Sequence, residues 1–218
     1  MPSIKLLLNE QLSLIAKSLS SPQRLEILEY LSQAERSVDD LSKLSNLSIA
    51  NTSRHLQVLK QAALVSVRRE GQKRFYRITG SDVTNLISSL RTTAEIHVAE
   101  VERLTQTYLD KKDDLEAIDA SELIERTKHN EVTVLDIRPV EEFNAGHIPN
   151  AINIPPDEIT KRIKQINNNK DIVAYCRGPY CLFAYDAIQA LRKNGFNAQR
   201  LKNGYPEWKA AGHPTQQY

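Results

Sequence analysis

The hydrophobic pattern changes character about halfway along the chain. Up to about residue 108, apolar positions recur mostly at helical spacing, broken by one short hairpin pattern. A short helix is predicted over 38–44, a polar turn over 45–48, and a second helix over 49–62. In this second helix Ile49, Leu56, Leu59 and Ala63 form the expected buried stripe, with Ser48 placed as its N-cap. Residues 64–69 and 73–78 read as two strands joined by Glu70-Gly71-Gln72. Beyond about residue 116, strands and helices alternate. The segments 132–137, 171–175 and 198–201 are apolar enough for buried strands of a mainly parallel sheet. The helix after Cys181 repeats Ala184, Ala187, Ile188 and Leu191 before an Asn194-Gly195 stop. Two domains are expected, a mainly α one over 1–110 and an α/β one over 117–218. The charge-dense join places a linker at 111–116.

Composition narrows the class. Of 218 residues, 40% are hydrophobic and 26% charged, the balance of a soluble globular protein. No apolar run reaches the ~18 residues of a membrane span, and Leu6, Leu7 and Leu8 read as part of an amphipathic helix. A cytoplasmic protein with no membrane partner is expected. The net charge of +2 hides a concentration: residues 54–77 hold seven Lys or Arg (54, 60, 68, 69, 73, 74, 77) against the single Glu70. Such a patch suits a phosphate backbone. The two cysteines, Cys176 and Cys181, are too close and too few for a secreted disulfide framework and fit reactive thiols in a reducing compartment.

The face of the 49–62 helix opposite its apolar stripe carries Asn51, Thr52, Arg54, His55 and Gln57, side chains of the kind that read base edges and fix phosphates. Arg68, Arg69, Lys73 and Arg74 flank the hairpin tip. The run SPQRLEILEYL (21–31) followed by LSIANTSRHLQVLKQAALVSVRREGQKRFYRIT (47–79) resembles the ArsR/SmtB winged helix-turn-helix repressors. The resemblance implies a homodimer on double-stranded DNA with a two-fold symmetric operator. It also implies a recognition helix over 48–57, with Ser48, Asn51, Thr52, Ser53, Arg54, His55 and Gln57 as DNA-binding residues, and a wing over 68–74. Leu86, Leu90, Ile96 or His97, Val101, Leu104 and Tyr108 form a further stripe. In the family the corresponding helix packs on its mate, although the same stripe suits docking on the second domain. The stretch 35–40 lacks the cysteines of the family's metal sensors. His97 and Glu100 have a zinc-sensor spacing but too few companions, so neither a metal nor a cofactor is expected.

In the second half, a predicted strand runs straight into CRGPYC (176–181) and then a helix. A cysteine there meets the conditions for a depressed thiol pKa, because a helix start and converging loop amides favour an anion. Arg177 adds positive charge, and Gly178 permits a tight turn. LDIR (135–138), EEFNAGHIPNAINIP (141–155) and LKNGYPEWKAAGHP (201–214) flank this loop, and together they resemble a single-copy rhodanese-like domain. The resemblance implies that Cys176 accepts a sulfane sulfur as a persulfide from a small donor such as thiosulfate or polysulfide. The loop residues Arg177, Gly178 and Cys181 would complete the site, and Asp136, Arg138, Glu142 and His147 would hold loops and strand ends. Phosphatases and arsenate reductases of this fold need an arginine six residues after the cysteine, where this chain has Leu182. Cys181 either attacks a persulfide on Cys176, giving a disulfide and sulfide, or merely closes the loop as a small residue. The expected function is a DNA-binding regulator, a repressor, whose second domain senses or handles reactive sulfur. A sulfurtransferase tethered to DNA and a regulator with an idle rhodanese module are the alternatives.

Overall fold

The computed structural model describes residues 3–110, 112–113, 116–163, 166 and 169–218. Part of the expected linker, residues 111, 114 and 115, lies outside them. The chain divides into two compact units, Met1–Ile87 and Ser88–Tyr218.

The first unit runs α1 (Ile4–Leu19), α2 (Pro22–Gln33), β1 (Arg36–Ser37), α3 (Val38–Leu44), α4 (Ile49–Gln61), β2 (Val65–Glu70), β3 (Lys73–Ile78) and the start of α5 (Ser81–His97). Ser37 caps α3 in a reciprocal box with Asp40, which leaves the Asp40 carboxyl below its usual range through the Ser37 hydroxyl. Ser48 caps α4 by accepting from the Asn51 N–H at 3.3 Å. The core gathers Ile27, Leu28 and Leu31 of α2, Leu41 of α3, Leu56 and Leu59 of α4, and Tyr76 of β3. The hairpin turns at Gly71, whose φ of +60° suits a glycine-first two-residue connection.

Three local expectations change. Ile49 is 55% exposed, and Thr52 takes its place on the buried face of α4. Ala63 leaves the stripe altogether: its φ of +56° and the bonds Ala63 N–H to Lys60 C=O and Leu64 N–H to Leu59 C=O form a Schellman ending. The sheet has a third strand, since β1 pairs antiparallel with β3 in the order β1-β3-β2.

The second unit begins within α5 and continues through α6 (Ala99–Thr105), a π-helical turn (Gln106–Asp110), α7 (Ala120–Lys128), β4 (Val132–Asp136), α8 (Val140–Ala145), β5 (Ile152–Asn153), α9 (Ile159–Arg162), β6 (Asp171–Tyr175), α10 (Leu182–Lys193), β7 (Ala198–Arg200) and α11 (Tyr205–Ala210). The expected stripe from Leu86 to Tyr108 is thus not one helix. Val98, with φ −109° and ψ 96°, breaks it.

Among the described residues the four strands of this unit are parallel, in the order β5-β4-β6-β7. Alternation along β4 and β6 sorts their side chains between two cores. Val132, Val134, Val173 and Tyr175 join Phe143, Tyr205 and Trp208 in one core. Leu135, Ile172 and Ala174 join Ile159, Ile188 and Leu191 in the other. A sheet covered in this way directs the C-terminal ends of its strands toward the loops that carry chemistry.

Candidate functional site

On α4, Asn51, Arg54 and Gln57 are exposed, Ser48 is exposed at the cap, and Ser53 and His55 are half-buried. Thr52 is not on this face. It is fully buried, and its hydroxyl donates to the Ser48 carbonyl at 3.0 Å, so the expectation that it contacts DNA is corrected. His55 is pushed toward its neutral form by burial and by the neighbouring charges of Arg24 and Arg54. On the hairpin, Arg69, Lys73 and Arg74 are exposed, and among the described residues no acid pairs with them. Arg68 differs: it pairs with Glu35 and with Glu70, each at 2.6 Å, and lies 4.6 Å from the Phe75 ring centroid. It braces the hairpin, while its three companions offer free charge.

In the second unit β6 delivers Cys176 at its C-terminal end, and residues 177–181 lead into α10. The Cys176 thiol is 2% exposed. Burial pushes it well above the ordinary thiol range, and the hydrogen bond it shares with Cys181 pushes it further. This reverses the expectation for Cys176. Loss of water at a buried strand end outweighs the Arg177 amide and charge. The depressed thiol is Cys181, drawn down to about 7 chiefly by the hydrogen bond from Cys176. Burial opposes that shift, whereas the main-chain N–H groups of Arg177 and Phe183 and the Arg177 charge support it. Cys181 is the N-cap residue of α10, where unsatisfied amides favour an anion. It is half-buried and more open than Cys176.

The loop is held from several sides. Arg177 meets Glu142 of α8 through Nε at 3.0 and 3.1 Å and Nη2 at 2.7 Å, with Glu142 fully buried. Burial works against the guanidinium, but this carboxylate outweighs it and keeps Arg177 firmly charged. The Cys176 carbonyl accepts from the Tyr205 N–H at 3.1 Å. A Cβ on Gly204 would overlap the Arg177 carbonyl, so only glycine permits this approach. The Tyr185 hydroxyl donates to the Pro179 carbonyl at 3.1 Å. Asp136 and Arg138 form a fully buried pair whose guanidinium also reaches the Gly146 carbonyl, and His147 stacks on Phe143 at 3.8 Å. Those three residues brace the scaffold. Glu142 does more, since it orients a loop residue.

The sequence reading missed a second set of supports. Tyr180 donates to Glu95 at 2.6 Å, and Arg91 pairs with Glu207 at 3.0 Å while its guanidinium lies 5.3 Å from the Tyr180 ring centroid. A cleft of about 390 Å³ opens beside them, lined among others by Glu95, Pro179, Tyr180, Arg200 and Lys202. Pairings between residues 85 and 116 positions apart leave no local signal. Glu100, the other half of the metal spacing noted above, is held by Arg103 at 2.7 Å. No group of three or more metal-ligating side chains occurs among the described residues. No helix among them is long and apolar enough to cross a membrane.

Comparison with known proteins agrees with both units. Residues 21–67 match the bacterial regulatory protein, arsR family, and residues 119–211 match the rhodanese-like domain. The HTH-type transcriptional regulator Rv0324 of Mycobacterium tuberculosis is 41% identical over 97% of this chain and 92% of its own length. A sulfurtransferase of Allochromatium vinosum is 32% identical over 44% of this chain and 91% of its own. A solved homodimeric winged helix-turn-helix DNA-binding domain, Mb0332 from Mycobacterium bovis, is 35% identical, covers 45% of this chain and 91% of its own, and superposes with a TM-score of 0.42. The chain belongs to the arsR family of bacterial HTH-type transcriptional regulators, as a member that carries a rhodanese-like domain after its winged helix.

Proposed function

We propose that this regulator is a cytoplasmic, homodimeric repressor whose rhodanese-like domain carries reactive sulfur as a persulfide on Cys176, and that sulfur loading alters operator affinity. The observation that carries the sulfur reading is the buried Cys176 thiol, with Cys181 close by in sequence, in one short loop at the end of β6 that is fastened by Arg177 and Glu142. A persulfide formed there sits in a water-poor pocket within reach of the Arg177 amide. Sulfur transfer suits this loop better than phosphoryl chemistry, because Leu182 stands where an oxyanion-clamping arginine is needed.

The winged helix supplies the other half. Asn51, Arg54 and Gln57 on α4 would read the major groove, with Ser48, Ser53 and His55 beside them. Arg69, Lys73 and Arg74 would hold phosphates. Dimerisation is supported by α1, where Ile4, Leu7, Leu8 and Leu12 are between 42% and 71% exposed, a patch that a second copy would cover. Two assays on the full-length protein test this reading. Footprinting should reveal a two-fold symmetric site, and thiosulfate or polysulfide should add one sulfur atom to wild type and none to Cys176→Ser. A monomer on an asymmetric site, or a wild-type protein that takes up no sulfur, would overturn it.

A further inference from the structure

We infer that the cleft beside the reactive loop is the binding site for the organic part of the sulfur donor, and that this donor is a small organic persulfide carrying an amine. The inference deepens the reading that Cys176 takes up sulfane sulfur, and it rests on that reading. The cleft, of about 390 Å³, is walled on one side by Pro179 and Tyr180, which belong to the same loop as Cys176. Buried Leu109, with Ala117 and Tyr185, adds apolar surface that suits a short alkyl chain. A molecule seated there lies against the loop that performs the chemistry.

Charge around the cleft selects the kind of donor. Glu95, Glu102 and Glu116 all line it. Glu95 accepts from the Tyr180 hydroxyl and Glu102 from the Gln106 side-chain amide, and these neutral donors leave both carboxylates charged. Of the two cations on the lining, Arg200 is matched by buried Asp113 at 2.8 Å. That leaves Lys202 to face three carboxylates. The cleft is therefore acidic in a chain whose net charge is +2. It draws in an ammonium group on the donor and repels a carboxylate.

The transfer balances without an outside oxidant. The Cys176 thiol gives up its proton, and its sulfur attacks the outer sulfur of the donor R–S–SH. A new S–S bond forms at Cys176 and the donor's S–S bond breaks. The electron pair of the broken bond leaves on the organic sulfur, which takes the proton and departs as the thiol R–SH. Cys176 is left as the persulfide.

The test compares 2-aminoethyl, 2-hydroxyethyl and 2-carboxyethyl persulfide, which share the reacting group and the two-carbon chain and differ in end-group charge. Full-length protein is mixed with each at low salt and quenched early, and sulfur on Cys176 is measured by mass spectrometry. Each rate is divided by that for a small free thiol, which removes intrinsic differences between the donors. The amine should load Cys176 about tenfold faster than the carboxylate, with the hydroxyl between them. High salt should bring the ratio toward one, because exposed charges are screened. The ratio should also narrow in Glu102→Gln/Glu116→Gln and widen in Lys202→Gln, while the hydroxyl donor loads every variant at the wild-type rate. Equal rates for amine and carboxylate, a faster carboxylate, or a ratio that salt and the variants leave unchanged overturns the role of the cleft and leaves the sulfur reading standing. No sulfur on Cys176 from any of the three persulfides overturns both.

Discussion

Arg177 and Glu142 form a forked ion pair across 35 positions of sequence, with the carboxylate fully buried and the guanidinium 11% exposed. The pair anchors the residue next to Cys176 to α8, so the reactive loop is fastened to the scaffold by charge as well as by backbone bonds. Glu142→Gln leaves a largely buried guanidinium without its counter-charge. A loss of about 2–4 kcal/mol in unfolding free energy is expected from denaturant titration of the second domain's transition. Sulfur loading should slow in the same variant, because the Arg177 amide that faces both thiols is no longer held. Unchanged stability and loading would show that the pair is incidental.

The Tyr180 hydroxyl donates to Glu95 from the middle of the reactive loop. Burial, followed by that carboxylate, raises the Tyr180 phenol, so it stays a neutral donor throughout the usable pH range. Tyr180→Phe removes the donor but keeps the ring beneath Arg91. The loop should then open more readily, and Cys181 should be alkylated severalfold faster. The melting temperature should hardly change, since a partly exposed hydrogen bond is worth only about 1 kcal/mol. An unaltered alkylation rate would show that this contact does not hold the loop.

On the hairpin, charge alone does not predict contribution. Arg69→Ala and Lys73→Ala should each weaken binding to specific and unrelated DNA alike, and each should lower the slope of log affinity against log salt by about one. Arg68→Ala should change the slope less, because Glu35 and Glu70 already neutralise that guanidinium. Equal slope changes for all three would mean that Arg68 leaves its partners on binding DNA.

Ala63 ends α4 in the left-handed region, a conformation that costs an L-residue with a Cβ about 1–2 kcal/mol. Replacement by glycine removes that strain and adds back some unfolded-state entropy. Ala63→Gly should therefore stabilise the winged helix by about 0.5–1 kcal/mol in thermal or denaturant unfolding. A destabilised variant would contradict the assigned Schellman ending.

What the chain shows without coordinates divides by locality. The bounds of α3, the start of α4, the paired strands of the hairpin and the β6–loop–α10 passage follow from nearby periodicity, caps and turn residues, and all were legible. The two-residue strands β1 and β5 were not, since Arg36 and Ile152 enter strands only through partners such as Tyr76 and Leu135 far along the chain. Thr52 misled because a threonine can bury its methyl group while its hydroxyl bonds the preceding turn. The order of the two thiols was hidden for another reason. Helix-start and loop-amide arguments apply to both cysteines, and the deeper burial of Cys176, which pushes its thiol up, shows only in the fold. Likewise Glu142 reads as a scaffold residue until its distance to Arg177 is known.

The central claim is that sulfur on the reactive cysteines changes how the winged helix binds DNA. It is tested most directly by operator affinity, measured by fluorescence anisotropy at fixed salt before and after polysulfide treatment, with wild type and Cys176→Ser compared. The account predicts a shift in Kd of about 5- to 150-fold in wild type, reversed by a thiol reductant and absent in Cys176→Ser. The same Kd for loaded and unloaded wild-type protein would contradict it.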